Sequence, residues 1–127
     1  EGIEPILDLI RRSNIAPVFV VSFHAEALKE VKRTLHHART GLIYAQPAGN
    51  PLEMAGVLHA DLVLPRFSLL SASVVEESHH RRLMVVPWTL NREEEIRIAV
   101  ELQVDGFATD DPCKAKKVLQ EIAGALE

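Results

Sequence analysis

The chain has 127 residues, 47% of them apolar and 25% charged, with a formal net charge of -4. This is the size and composition of one soluble globular domain, and no apolar run approaches the roughly 18 to 20 residues of a membrane span. The negative balance argues against nonspecific nucleic-acid binding, and the single cysteine, Cys113, cannot form an internal disulfide.

No signal-peptide pattern is visible in EGIEPILDLIRR, residues 1 to 12, so a cytoplasmic location is expected. Ile3, Ile6, Leu7 and Ile10 recur at helical spacing, and residues 16 to 23, APVFVVSF, form a β-rich run. Leu28, Val31 and Leu35 mark the next helix, and residues 40 to 46, TGLIYAQ, the next strand. Asn50 can cap a helix opened by Pro51, with Glu53 in its first turn. Residues 60 to 67, ADLVLPRF, read as extended, and Ser71 can cap a short helix through Val74 and Val75. Residues 81 to 90, RRLMVVPWTL, read as a strand, after which Asn91 is expected to cap a helix with Glu94 completing a capping box. Residues 104 to 110, VDGFATD, are the last expected strand, and Asp111 with Pro112 opens the final helix, whose apolar face is Ala115, Val118, Leu119, Ile122 and Leu126. Strands alternating with helices imply a parallel sheet covered by helices, an α/β fold.

In such folds ligands sit at the carboxyl ends of the strands, where loops converge and helices begin. Those ends hold Ser22, Phe23 and His24, then Gln46 and Pro47, then Pro65, Arg66 and Phe67, then Trp88 through Asn91, and last Thr109, Asp110 and Asp111. Trp88, the only tryptophan, is thereby placed where its ring can wall a pocket or pack under a helix.

VVSFHAEALKEVK, VPWTLNREEEI and VDGFATDDP, in this order over most of the chain, resemble the second half of the glycerophosphodiester phosphodiesterases. The resemblance implies a parallel β/α TIM-type barrel. It also implies hydrolysis of glycerophosphodiesters to an alcohol and glycerol 3-phosphate, with a divalent cation, Mg2+ or Ca2+. The family's His-Arg-Gly and Glu-x-Asp motifs do not occur here, and a full barrel takes about 250 residues. The expectation is therefore one domain, residues 1 to 127, forming the carboxyl-terminal half of a barrel. On this reading the catalytic histidines and metal ligands are not in the chain, although Glu1 falls just after a strand where relatives supply a metal-binding glutamate.

Carried over residue by residue, the resemblance implies an apolar substrate wall of Phe23 and Trp88 beside Ser22, with Asn91, Thr109 and Asp110 as polar rim supports. His24 is the only histidine at an expected ligand-facing strand end, and so the one that can reach substrate. His36 with His37 and His79 with His80 are read as solvated faces, because sequence neighbours diverge on a helix; His59 packs or caps at a helix end. Asp111 is read as a helix cap, the run Glu93 to Glu95 as first-turn acid and Cys113 as structural. Two departures carry expectations. Pro87 should introduce a bulge or a free donor position, and one of five extended runs, residues 40 to 46 or 60 to 67, should be short. The competing reading is a noncatalytic half-barrel that self-associates and binds a phosphorylated ligand. Either way the open sheet edges must meet the missing half or a second copy.

Overall fold

A computed structural model describes residues 19 to 35, 37 to 46 and 50 to 126. The expected first helix, the start of the first strand, Glu1, His36 and Pro47 lie outside these residues. Strands β1 (Phe19–Ser22), β2 (Arg39–Tyr44), β3 (Leu62–Pro65) and β4 (Met84–Val85) form a parallel sheet in the order 1-2-3-4. Helices α1 (Ala25–Thr34), α2 (Pro51–Val57), α3 (Ala72–His80), α4 (Glu93–Glu101) and α5 (Pro112–Leu126) follow the extended segments in turn. Three helix starts follow from local chemistry. Asn50 accepts from the Glu53 amide at 3.2 Å, Ser71 from Val74 at 3.1 Å and Asp111 from Lys114 at 3.1 Å, each satisfying an otherwise orphaned donor.

Alternation along the strands separates two layers. Leu42, Val63 and Val85 face the helices and pack with Leu28, Leu52, Ala55 and Val75 in the main core. The opposite, inner layer brings Gly41 against Leu62, Leu64 and Val21. On β1 the alternate residues Phe19 and Val21 remain 46% and 41% exposed, so the inner layer is open among the described residues. A second core of Leu90, Ile96, Ala99, Ala115 and Val118 joins α4 to α5 below the end of the fourth extended segment.

Two expected strands are cut back. The segment at residues 81 to 90 yields only Met84–Val85, because Arg81 caps α3 and Arg82 turns through a left-handed backbone at φ 63°. The pairing to β3 nevertheless continues past it: Val86 donates to the Val63 carbonyl at 3.0 Å and Trp88 to that of Pro65 at 3.1 Å. These even-numbered donors face β3, whereas Pro87 faces the other neighbour, where its missing N–H costs no β3 bond. On that side Asp105 donates to Val85 and Ala108 to Pro87, both at 3.0 Å. Two residues on one side thus span three on the other, a bulge-like slip that leaves residues 104 to 110 outside any assigned strand. The short runs are therefore the fourth and fifth; β2 is the longest strand, at 6 residues, against the expectation for residues 40 to 46, and β3 holds 4.

The amino-terminal edge of the sheet is fastened by two equivalent aspartates. Asp61 accepts from the buried Thr40 amide at 2.8 Å and from Lys32 Nζ of α1 at 3.1 Å. Asp105 accepts from the Val85 amide at 2.8 Å and pairs with His79 Nε2 of α3 at 2.8 Å. His79 is therefore no merely solvated residue: its ring reaches across to the start of the next extended segment. Before these strand entries, His59, Arg82 and Gln103 each adopt positive φ after a helix. The next amide returns to the last turn each time, Ala60 to Ala55, Leu83 to Ser78 and Val104 to Ala99, which closes three Schellman turns.

Candidate functional site

The carboxyl edge gathers the residues expected from the sequence. Phe23 and Trp88 meet edge to face, with ring centroids 6.0 Å apart and planes at 86°. This geometry places the positive edge of one ring on the negative face of the other. Trp88 is half-buried, and its indole Nε1 donates to the Leu64 carbonyl at 2.8 Å, so the ring is fixed on β3 as well as against Phe23. Phe23 is 55% exposed and offers the rest of its surface to the inner side of the sheet. Ser22 serves the turn beneath it: its hydroxyl accepts from the His24 amide at 2.9 Å. His24 is exposed at the N-cap of α1, and its ring makes no capping bond there.

The rim is built around Asn91. Its Oδ1 accepts from Thr109 Oγ1 at 3.1 Å and from the Asp110 amide at 2.9 Å, and its Nδ2 donates to Asp110 Oδ2 at 3.0 Å. Lys114 Nζ of α5 donates to the Asn91 carbonyl at 3.0 Å. The side chain expected to cap α4 is therefore spent on the neighbouring loop. Arg92 occupies the N-cap position of α4 instead, and its side chain, which has no acceptor, cannot cap. Glu95 takes the place expected for Glu94, its Oε1 accepting from the amides of Asn91 at 3.1 Å and Arg92 at 3.2 Å. The result is a clasp that ties the chain after Trp88 to the loop before α5.

A residue placed at a strand end by the sequence, but given no role there, also faces this mouth. Arg66 continues the inner alternation of Leu62 and Leu64 and forms a parallel bridge to Trp88. With Phe67, Ser68, Trp88, Thr89 and Glu95 it lines a cavity of about 380 Å³. The alternation at 62, 64 and 66 was the available signal. Beside the mouth, Tyr44 closes β2 against the main core, and burial pushes its phenol pKa above the usual value.

Among the described residues no group of three or more His, Cys, Asp or Glu side chains could hold a metal ion. The acids nearest the mouth are already engaged, Asp110 by Asn91, Asp111 by the Lys114 amide and Glu95 by two amides. These residues do not fit a divalent cation. Cys113 is exposed, and no described helix is long and apolar enough to cross a membrane.

Parallel strands in sequential order, helices on one face and polar and aromatic residues converging at the carboxyl edge define a segment of a β/α barrel. The model of the glycerophosphoryl diester phosphodiesterase family matches residues 2 to 114, and the chain belongs to that family. A glycerophosphodiester phosphodiesterase of Caldanaerobacter subterraneus is 29% identical over 110 residues, covering 86% of this chain and 45% of that protein. A candidate glycerophosphoryl diester phosphodiesterase from Silicibacter pomeroyi superposes with a TM-score of 0.89 at 25% identity, covering 95% of this chain and 44% of its own. An Oleispira antarctica phosphodiesterase, solved with the product sn-glycerol-3-phosphate, superposes at TM-score 0.85 and 17% identity, over 93% of this chain and 49% of its own. The fold is that of a TIM-type barrel, and the chain spans about half the length of these relatives.

Proposed function

We propose that this chain is the carboxyl-terminal half of a metal-dependent glycerophosphodiesterase barrel, residues 1 to 127 supplying one wall of the substrate cleft. The reaction is hydrolysis of a glycerophosphodiester to an alcohol and glycerol 3-phosphate. Phe23 and Trp88 form the apolar side that receives the glycerol or leaving-group carbons. Ser22 holds the turn that presents Phe23 and His24, and His24 reaches the polar end of the ligand. Asn91, Thr109 and Asp110 keep the Trp88 loop in place. The catalytic histidines and the ligands of the divalent cation, Mg2+ or Ca2+, belong to the other half of the barrel. The single observation that carries this reading is the edge-to-face contact of Phe23 with Trp88 at the carboxyl edge. The product named in the Oleispira structure and the family's name support the substrate class.

The open inner face, with Phe19 and Val21 over two-fifths exposed, favours burial against more polypeptide and keeps a second reading in play: a self-associating half-barrel without activity. Purification of the native protein decides between them. The enzyme reading expects a mass near twice 14.1 kDa from one longer polypeptide that releases glycerol 3-phosphate from glycerophosphocholine with Mg2+ or Ca2+. It also expects Phe23→Ala and Trp88→Ala to raise KM. A homodimer of the 14.1 kDa chain, inert toward glycerophosphodiesters with either cation, would establish the alternative.

A further inference from the structure

Arg66 is the one cationic side chain on the inner alternation at the carboxyl edge among the described residues, and no described carboxylate lies within ion-pair distance of it. Its backbone is held on both sides. The amide donates to the Tyr44 carbonyl at 2.9 Å, and its own carbonyl accepts from Leu69 at 2.8 Å. The adjoining Phe67 amide donates to the Trp88 carbonyl at 2.7 Å, so the chain here is locked to both neighbouring segments. Only the side chain is uncommitted. No hydrogen bond or ion pair engages its guanidinium among the described residues, although eight other pairs of Lys, Arg or His with Asp or Glu occur among them. Glu95 lines the same cavity, but the backbone amides of Asn91 and Arg92 already occupy its Oε1.

A guanidinium stays charged throughout the physiological range and presents a planar fork of N–H donors that matches the spacing of phosphate or carboxylate oxygens. Arg97 answers that demand with Glu93 at 2.9 Å. Arg66 instead stands beside Trp88, in a cavity whose other polar lining is the hydroxyls of Ser68 and Thr89 and the Glu95 carboxylate, which is held by the amides of Asn91 and Arg92. Such a lining complements a ligand with an anionic end and a hydroxylated or carbon-rich body. The fixed backbone means that ordering the side chain is the main conformational cost of binding.

We propose that Arg66 is an oxyanion-binding residue of this mouth, its guanidinium gripping an acidic group of the ligand that packs against Trp88. The assignment rests on the phosphodiesterase reading and adds to it the cationic contact that the expected site lacked. Two sources share the chemistry: the phosphoryl oxygens common to every glycerophosphodiester, and an acidic head group such as the carboxylate of glycerophosphoserine.

The test uses the complete protein that carries this chain, with Arg66→Gln and Arg66→Lys. Glycerol 3-phosphate affinity is measured by calorimetry, and kcat and KM with glycerophosphocholine and glycerophosphoserine. Loss of a charge-assisted contact should weaken binding about ten- to a hundredfold in Arg66→Gln and less in Arg66→Lys. The thermal midpoint should stay unchanged, because the side chain has no structural partner to lose. If the phosphoryl group is gripped, affinity for glycerol 3-phosphate falls and KM rises for both diesters. If the head group is gripped, only KM for glycerophosphoserine rises. A wild type that hydrolyses these diesters beside an Arg66→Gln variant with unchanged KM for both and unchanged affinity would overturn the assignment and leave the phosphodiesterase reading intact. A wild type that neither hydrolyses the diesters nor binds glycerol 3-phosphate would overturn both.

Discussion

Removing the Asn91 side chain should loosen the carboxyl edge by an amount that can be worked out from its bonds. Asn91→Ala abolishes two acceptances, from Thr109 Oγ1 at 3.1 Å and the Asp110 amide at 2.9 Å, and one donation to the Asp110 carboxylate at 3.0 Å. A neutral bond contributes about 1 kcal/mol net and a charge-assisted one somewhat more, but Asp110 is exposed and water would replace part of the loss. The expected cost is about 2 kcal/mol. Thr109→Val, which keeps the shape and removes the hydroxyl, should cost about 1 kcal/mol, since that oxygen also accepts from the Asp111 amide at 3.1 Å. The bond between the two side chains disappears once in either single variant. The double variant should therefore cost less than the sum, by about 0.5 to 1 kcal/mol. Urea unfolding of the complete protein, followed by circular dichroism, measures all three. Strict additivity, or an Asn91→Ala cost under about 0.5 kcal/mol, would show that the clasp is water-filled in solution and that the Trp88 loop is held by something else.

Three further outcomes are expected. A Cβ added at Gly41 would lie 2.7 Å from Leu64 Cδ1, 2.9 Å from Val21 Cγ1 and 3.0 Å from Leu62 Cγ, so Gly41→Ala should destabilise by about 1 to 2 kcal/mol in the same assay. Arg82 holds φ 63° in a Schellman turn, where a side chain is disfavoured; Arg82→Gly should raise stability by about 1 kcal/mol, seen as a higher urea midpoint. Burial raises the Tyr44 phenol above its ordinary pKa, so at alkaline pH the unfolded chain ionises there before the native one and binds fewer protons. Stability from this residue is complete below the ordinary phenol range, near about pH 10, and is lost as pH rises beyond it, so Tyr44→Phe should flatten the alkaline limb of a pH-stability profile.

The legible parts of this fold were those governed by neighbours in sequence. Asn50, Ser71 and Asp111 cap the helices that follow them, because a cap needs only an acceptor three residues before an amide. The aromatic pair at the mouth was legible through strand-end position and family resemblance. What stayed hidden depends on long-range pairing. Asn91 also stands before a helix, yet residues 18 and 19 positions away compete for its oxygen and win. His79 looks solvated until the chain returns with Asp105, 26 residues later. The fifth run has the composition of a strand, but Pro87 gives its neighbour no amide there, and the ladder slips instead of propagating. Arg66 escaped because a single cation at a strand end means little until the bridge to Trp88 shows which way the alternation points.

The two edges of the sheet differ in how their polar groups are used, and that difference separates stability from binding. At the amino edge Asp61 and Asp105 sit in equivalent positions, each fastening an amide of the neighbouring strand and a basic side chain from a helix. Those contacts all lie within the fold. At the carboxyl edge the clasp residues are spent on one another, whereas Arg66 keeps its donors and Phe23 keeps an exposed face. In β/α barrels loops at the carboxyl ends carry chemistry and the opposite ends carry stability, and the distribution of satisfied groups here follows that division. Asp61→Ala should accordingly lower the urea midpoint while leaving ligand affinity unchanged, because it strands the amide of a fully buried Thr40 far from the mouth. Arg66→Gln should do the reverse. A variant at either edge that moved both quantities together would mean that the edges are mechanically coupled through the sheet, and the separation argued from their hydrogen bonds would not hold.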